Sequence, residues 1–108
     1  IPNYSEEQVE TAKAKYGAKW LKILEVFPDE DSEEPSLFLI KKPSPSLVYL
    51  LSSKEFENNI EKSSNAMISN CVLAGDSELL NNDASVFTEL VEKIGSLTKS
   101  ARSSLKKV

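Results

Sequence analysis

The stretch SNCVLAGDSELLNND, residues 69–83, holds the single cysteine of the chain beside Asn, Gly and Asp. A catalytic thiol needs a base or a positive field to form thiolate. The chain contains no His, which removes the usual partner of a nucleophilic Cys, the serine triads and most zinc sites. Lys62 is a conceivable helper, but nothing in the sequence brings it to Cys71. Met67 or Ile68, Cys71 and Val72 recur at helical spacing, so Cys71 is expected on an apolar face as a small buried hydrophobe. Asp76 and Glu78 form a carboxylate pair just past that apolar run, where capping or solvation is the simpler role. Asp29, Glu30, Asp31, Glu33 and Glu34 crowd between Pro28 and Pro35. A calcium loop would need a central Gly and a Glu at its twelfth position, and neither is present. The three glycines are isolated, so no phosphate-cradling loop is formed. Lys41 and Lys42 make a short basic pair suited to a surface. Trp20, the one Trp, is expected as a core anchor, with an interface contact as the rival. Catalytic residues, metal ligands, cofactors and a small-molecule substrate are therefore not expected.

The elements that must position these groups fit one domain. The chain has 108 residues, 40% apolar and 28% charged, and 13 basic against 17 acidic residues give a net charge of −4. That balance opposes general nucleic-acid binding, which needs a basic face. One Cys excludes an internal disulfide framework and suggests a reducing compartment. No apolar run reaches the roughly 18 residues of a membrane helix, and no signal-peptide pattern is visible. Residue 1 is Ile rather than Met, which leaves open whether residues precede it.

Ser5 with Gln8 forms a capping box, Tyr4 and Val9 occupy the positions of a hydrophobic staple, and Gly17 suits a left-handed stop; these predict a helix over residues 6–16. AKWLKILEVF and SLFLIKK read as strands of an antiparallel hairpin over 19–42, with the acidic segment projecting into water at its tip. A hairpin is not stable alone, so one face must pack on helices. Ser44 and Pro45 open a helical region over 44–74, with Leu47, Val48, Leu50 and Leu51 as its buried face. A break is expected in the polar ENNIEKSSN segment beyond Phe56, and Gly75 reads as the terminator. Asp83 caps a last helix over 84–106. Phe87, Val91, Ile94, Thr98, Ala101, Leu105 and Val108 follow at alternating steps of four and three, a heptad seam widened by Leu90 and Leu97. Such a helix would span about 33 Å, long enough to carry its stripe past its own core. The fold expected is α+β: an N-terminal helix, an antiparallel β-hairpin, then a helical bundle ending in a long amphipathic helix.

The pieces AKYG at 14–17, KKPS at 41–44 and NCVLAGD at 70–76, in the order helix, hairpin, helices, polar turn, last helix, resemble a group of small bacteriophage proteins described as tail assembly chaperone-like. The resemblance covers most of the chain. Ala74 stands where a first Gly is usual, the hairpin loop is longer and more acidic, and the final helix is longer. The family brings no catalytic residues. The resemblance implies a binding role in the cytoplasm of a bacterial host, with association to the virion left open: shielding or recruiting a tail component, such as the tape-measure protein, while the tail is built.

Phe87, Val91, Ile94, Leu97 and Leu105 are the partner-binding candidates. Phe87 and Val91 are equally suited to closing the domain's own core, an explanation that weakens toward Leu105. A few hundred Å² of apolar contact would contribute several kcal/mol at roughly 25 cal/mol per Å², before association costs. The competing expectations are a self-associating structural or scaffold subunit of a phage particle, a small enzyme built on Cys71, and a nucleic-acid mimic using the acidic tip.

Overall fold

The computed structural model describes residues 4–108. Its elements are α1 (Glu6–Tyr16), a 3₁₀ turn (Ala18–Trp20), β1 (Leu21–Val26), β2 (Ser36–Lys41), α2 (Pro45–Leu51), α3 (Ile60–Cys71), β3 (Val72–Ala74), α4 (Ser77–Asn82) and α5 (Ala84–Leu97). The fold is α+β, with the N-terminal helix followed by the hairpin and then the helices.

Local chemistry explains most helix starts. Ser5 Oγ accepts from the Gln8 N–H at 3.1 Å while the Ser5 N–H donates to Gln8 Oε1 at 2.8 Å, completing the capping box of α1. Gly17 ends α1 with φ 93° and ψ 136°, a positive φ beyond the left-handed helical well, which glycine adopts without strain. Ser44 Oγ caps α2 through the Leu47 N–H, and Pro45 supplies the first turn. Asp83 Oδ1 accepts from the Ser85 and Val86 N–H groups at the start of α5.

The sheet has three antiparallel strands in the order β1-β2-β3. Leu21 pairs with Lys41 at one end of the hairpin and Val26 with Ser36 at the other. β3, which was not anticipated, pairs with β2 through Leu39↔Ala74 and Ile40↔Val72 with an irregularity between them. The central strand β2 is covered on both faces. Phe38 and Ile40 join Val26, Leu47, Cys71, Val86, Leu90 and Ile94 in the main core, beneath α2, α3 and α5. Strand alternation turns Leu39 to the other face, where it is buried with α1 above it; Ala12 is the buried residue of α1. The Lys41 ammonium, also on that face, lies 4.8 Å from the Tyr16 ring centroid at the end of α1.

Four sequence-based expectations are corrected. The region 44–74 is not helical throughout: α2 ends at Leu51, α3 begins at Ile60, and 72–74 is a strand. The expected break is present, since helix is interrupted between Leu51 and Ile60 and the interruption takes in Glu57, Asn58 and Asn59, but α3 begins inside the polar segment because Asn59 Oδ1 accepts from the Lys62 N–H at 3.0 Å. Gly75 therefore follows a strand rather than a helix. Its φ is 152°, and a Cβ there would overlap the Phe38 ring. Val48 and Leu50 were assigned to the buried face of α2 but are exposed. A helix of two turns presents one narrow stripe, and Leu47 with Leu51 fills it.

The fourth correction concerns the last helix, which stops at Leu97 rather than Lys106. At 14 residues it is about 21 Å long. Ser96, Thr98 and Ser100 hydroxyls donate back to the carbonyls of Lys93, Gly95 and Leu97 at 2.6, 2.7 and 2.9 Å, competing for the acceptors a continuing helix would use. Beyond Leu97 no sheet surface lies beneath the chain, and helices in proteins draw most of their stability from such packing.

Candidate interaction surface

Cys71 closes α3 and is fully buried between β2 and α5. Burial pushes its thiol above the ordinary range, and the Lys41 charge opposes this only in part. The thiolate is thus disfavoured and the sulfur is out of reach of a substrate. This geometry gives no role to nucleophilic chemistry at Cys71. Asp76 accepts from the Leu79 N–H at 3.0 Å and caps α4. Among the described residues, no three or more His, Cys, Asp or Glu side chains are grouped to hold a metal ion. No helix among them is long and apolar enough to cross a membrane.

Trp20 was expected in the core. It lies instead in the 3₁₀ turn before β1, 45% exposed, with the Lys19 ammonium 4.9 Å from its ring centroid. The strand starts at Leu21, past the residue-19 start that the aromatic-rich run suggested, so Trp20 escapes the alternation that would have turned it inward.

The five partner-binding candidates fall into four environments. Ile94 is fully buried in the centre of the core with Val86 and Leu90, at i, i+4 and i+8 on one helical stripe. It cannot touch a partner without unfolding α5, and its assignment as a contact is corrected. The buried stripe of α5 is centred on Val86, which the heptad pattern missed, and on Leu90, which was taken as its margin. Leu97 packs against the edge of the core and is part-exposed. Phe87 and Val91 are half-buried on the flank of α5, outside the core cluster. Leu105 lies beyond the last helix and is 104% exposed.

A surface not singled out by sequence gathers around Leu97. Val48 and Tyr49 of α2 form a groove with Leu97, Thr98 and Ala101, floored at its far side by Lys42, Pro43, Ser44 and Pro45. Tyr49 is 76% exposed. The groove lies where α2 meets the end of α5, which is where the chain leaves the packed body. The short spacing between the helix-opening Pro45 and the C-terminal Leu51 was the available clue that four apolar positions would not all turn inward.

No family model, curated protein or solved structure matches this chain. The apolar groove and the unpacked segment after it are therefore weighed on their own chemistry.

Proposed function

We propose that this chain is a non-enzymatic interaction protein that binds an apolar, amphipathic segment of a phage tail component, such as the tape-measure protein, in the cytoplasm of a bacterial host, as the tail assembly chaperone-like proteins it resembles do. The observation that carries the reading is the junction of α5 and the segment after it. The heptad positions Leu105 and Val108 continue the spacing of α5 and are fully exposed, and Leu97, at the end of α5, walls a groove with Val48 and Tyr49. An apolar partner helix laid in that groove would supply the surface that residues 98–108 lack, and the tail would extend α5 along it. Lys99, Arg102, Lys106 and Lys107 in that segment favour a partner with acidic residues flanking its apolar stripe.

The test is co-purification from cells expressing the phage tail genes, with Tyr49→Asp, Leu105→Asp and the wild type compared. Both substituted side chains are exposed, so both variants should fold. Loss of the tail component from both variants is the expected result. Retention by folded variants of both residues would place the contact elsewhere. The alternative reading, a structural or scaffold subunit of a phage particle, uses the same apolar surface for self-association. It predicts a closed oligomer in the absence of other phage proteins that persists in high salt.

A further inference from the structure

The second cleft of note is formed by Tyr16, Trp20, Lys41, Lys42, Pro43, Ser44 and Pro45, with a volume of about 230 Å³. Its walls are aromatic and proline surfaces and its charges are all positive. The ammonium groups of Lys15 and Lys41 lie 5.3 and 4.8 Å from the Tyr16 ring centroid, and that of Lys19 lies 4.9 Å from the Trp20 ring. Among the described residues the ion pairs are Lys13–Glu10, Lys62–Glu55 and Lys93–Glu89. The lysines of the cleft are in none of them. In a chain of net charge −4, this is a concentrated cationic site without an internal counter-ion.

The complementary group is at the other end of the same hairpin. The segment from Phe27 to Pro35 carries five carboxylates. The Asp29 N–H donates to Ser32 Oγ and the Ser32 N–H donates to Asp29 O, each at 3.1 Å, so the tip is held as a turn. Phe27 at its base is 53% exposed. Tip and cleft cannot meet within one molecule. The cleft adjoins the Leu21↔Lys41 pair and the tip adjoins Val26↔Ser36, and strand rise separates those pairs by about 17 Å along the hairpin.

We infer that the basic aromatic cleft of one molecule receives the acidic hairpin tip of a second copy of this chain. The carboxylates meet Lys15, Lys19, Lys41 and Lys42, while Phe27 and Pro28 lie against Tyr16, Trp20 and Pro43. The contact joins two different surfaces, so it is head-to-tail and propagates to a ring or an open filament. One loop in one cleft makes a small interface, and its affinity is correspondingly weak, roughly micromolar or weaker. Charge supplies much of it, so the association weakens as salt rises. The cleft shares Lys42, Pro43, Ser44 and Pro45 with the groove at Tyr49, but this association uses Tyr16, Trp20 and Lys41 rather than the apolar wall of Val48, Tyr49 and Leu97.

The experiment is sedimentation velocity over a concentration series, with the emission of Trp20, the single Trp, followed in parallel. Association with a blue shift of Trp20 at low salt, both reversed at roughly 0.5 M salt where screening falls to a few Å, is the expected result. Lys41→Glu/Lys42→Glu and Glu30→Lys/Asp31→Lys should each be monomeric. An equimolar mixture of the two should associate again, since each then offers the charge the other lacks. A synthetic peptide of residues 27–35 should shift Trp20 and dissociate the wild-type oligomer, a check that needs no variant to fold. A wild type monomeric throughout at low salt, or association that leaves Trp20 unchanged, overturns the inference. So does a folded pair of variants that fails to associate on mixing, or a monomer whose Trp20 responds instead to a single-stranded oligonucleotide.

Discussion

The stretch from Val86 to Leu97 and the stretch from Thr98 to Val108 follow one heptad spacing, yet the first is a helix at the centre of the core and the second lies outside it. Val86, Leu90 and Ile94 each meet the sheet or α3, and each is fully buried. Leu105 and Val108 meet nothing in their own molecule. Spacing decides which residues share a face. Only a second surface decides whether that face is buried.

Substituting the two stretches alike would break or sharpen this contrast. The largest effect is expected for Ile94→Asp, which places a charge in an apolar interior and should cost about 4 kcal/mol or more, enough to unfold a domain of this size. Leu105→Asp should change stability by less than about 0.5 kcal/mol. Thermal melts followed by circular dichroism compare the two directly. Equal effects would mean that residues 98–108 pack in solution as the core does. Gly75→Val marks the opposite boundary of the packed body. It forces a β-branched side chain into a positive φ and against Phe38, and should destabilise by about 3 kcal/mol in denaturant titration.

A smaller effect is expected from pH. The Asp83 carboxyl is held below its usual range, first by the Ser85 hydroxyl, against an opposing effect of desolvation, and then by the Val86 and Ser85 N–H groups. A depressed native pKa adds stability above the unfolded value, and that contribution is lost as pH falls through the native value. Acid titration of Asp83→Asn should show a shallower loss below about pH 4, since Asn keeps the cap and does not titrate. Cys71 acts at the other end of the scale. Its raised native pKa favours folding while the unfolded thiol is neutral, and that contribution declines above about pH 8.5 as the unfolded chain ionises. A thiol reagent should react with Cys71 at the rate of unfolding and no faster. Prompt reaction in the native state would contradict its burial.

The same contrast shows how much of the molecule was legible beforehand. Ser5, Ser44 and Asp83 marked three helix starts, because a cap is made with backbone groups two or three residues away. The hairpin was visible in two apolar runs around a charged loop. The absence of His limited the chemistry before any coordinate was known. Asn59 as a cap and Val72–Ala74 as a strand were not visible. The first sits in a polar segment poor in helix formers, and three residues carry too little periodicity to declare a strand.

The candidate residues were placed only in part. Apolar excess on the last helix led to the expectation of an interaction role, but the heptad phase put Ile94 at the surface and passed over Tyr49. The buried stripe runs through Val86, Leu90 and Ile94, so the heptad line through Phe87 and Val91 falls on its flank.

Sequence alone determined where α1, α2 and α5 begin, that the chain turns back on itself between Pro28 and Pro35, and that its thiol lacks a histidine partner. These follow from contacts a few residues apart. Tertiary structure alone decided that the last helix ends at Leu97, that Trp20 stays at the surface and that β3 closes the sheet. Those outcomes depend on which apolar faces find a counterpart across the fold, and burial is a property of two surfaces rather than of one.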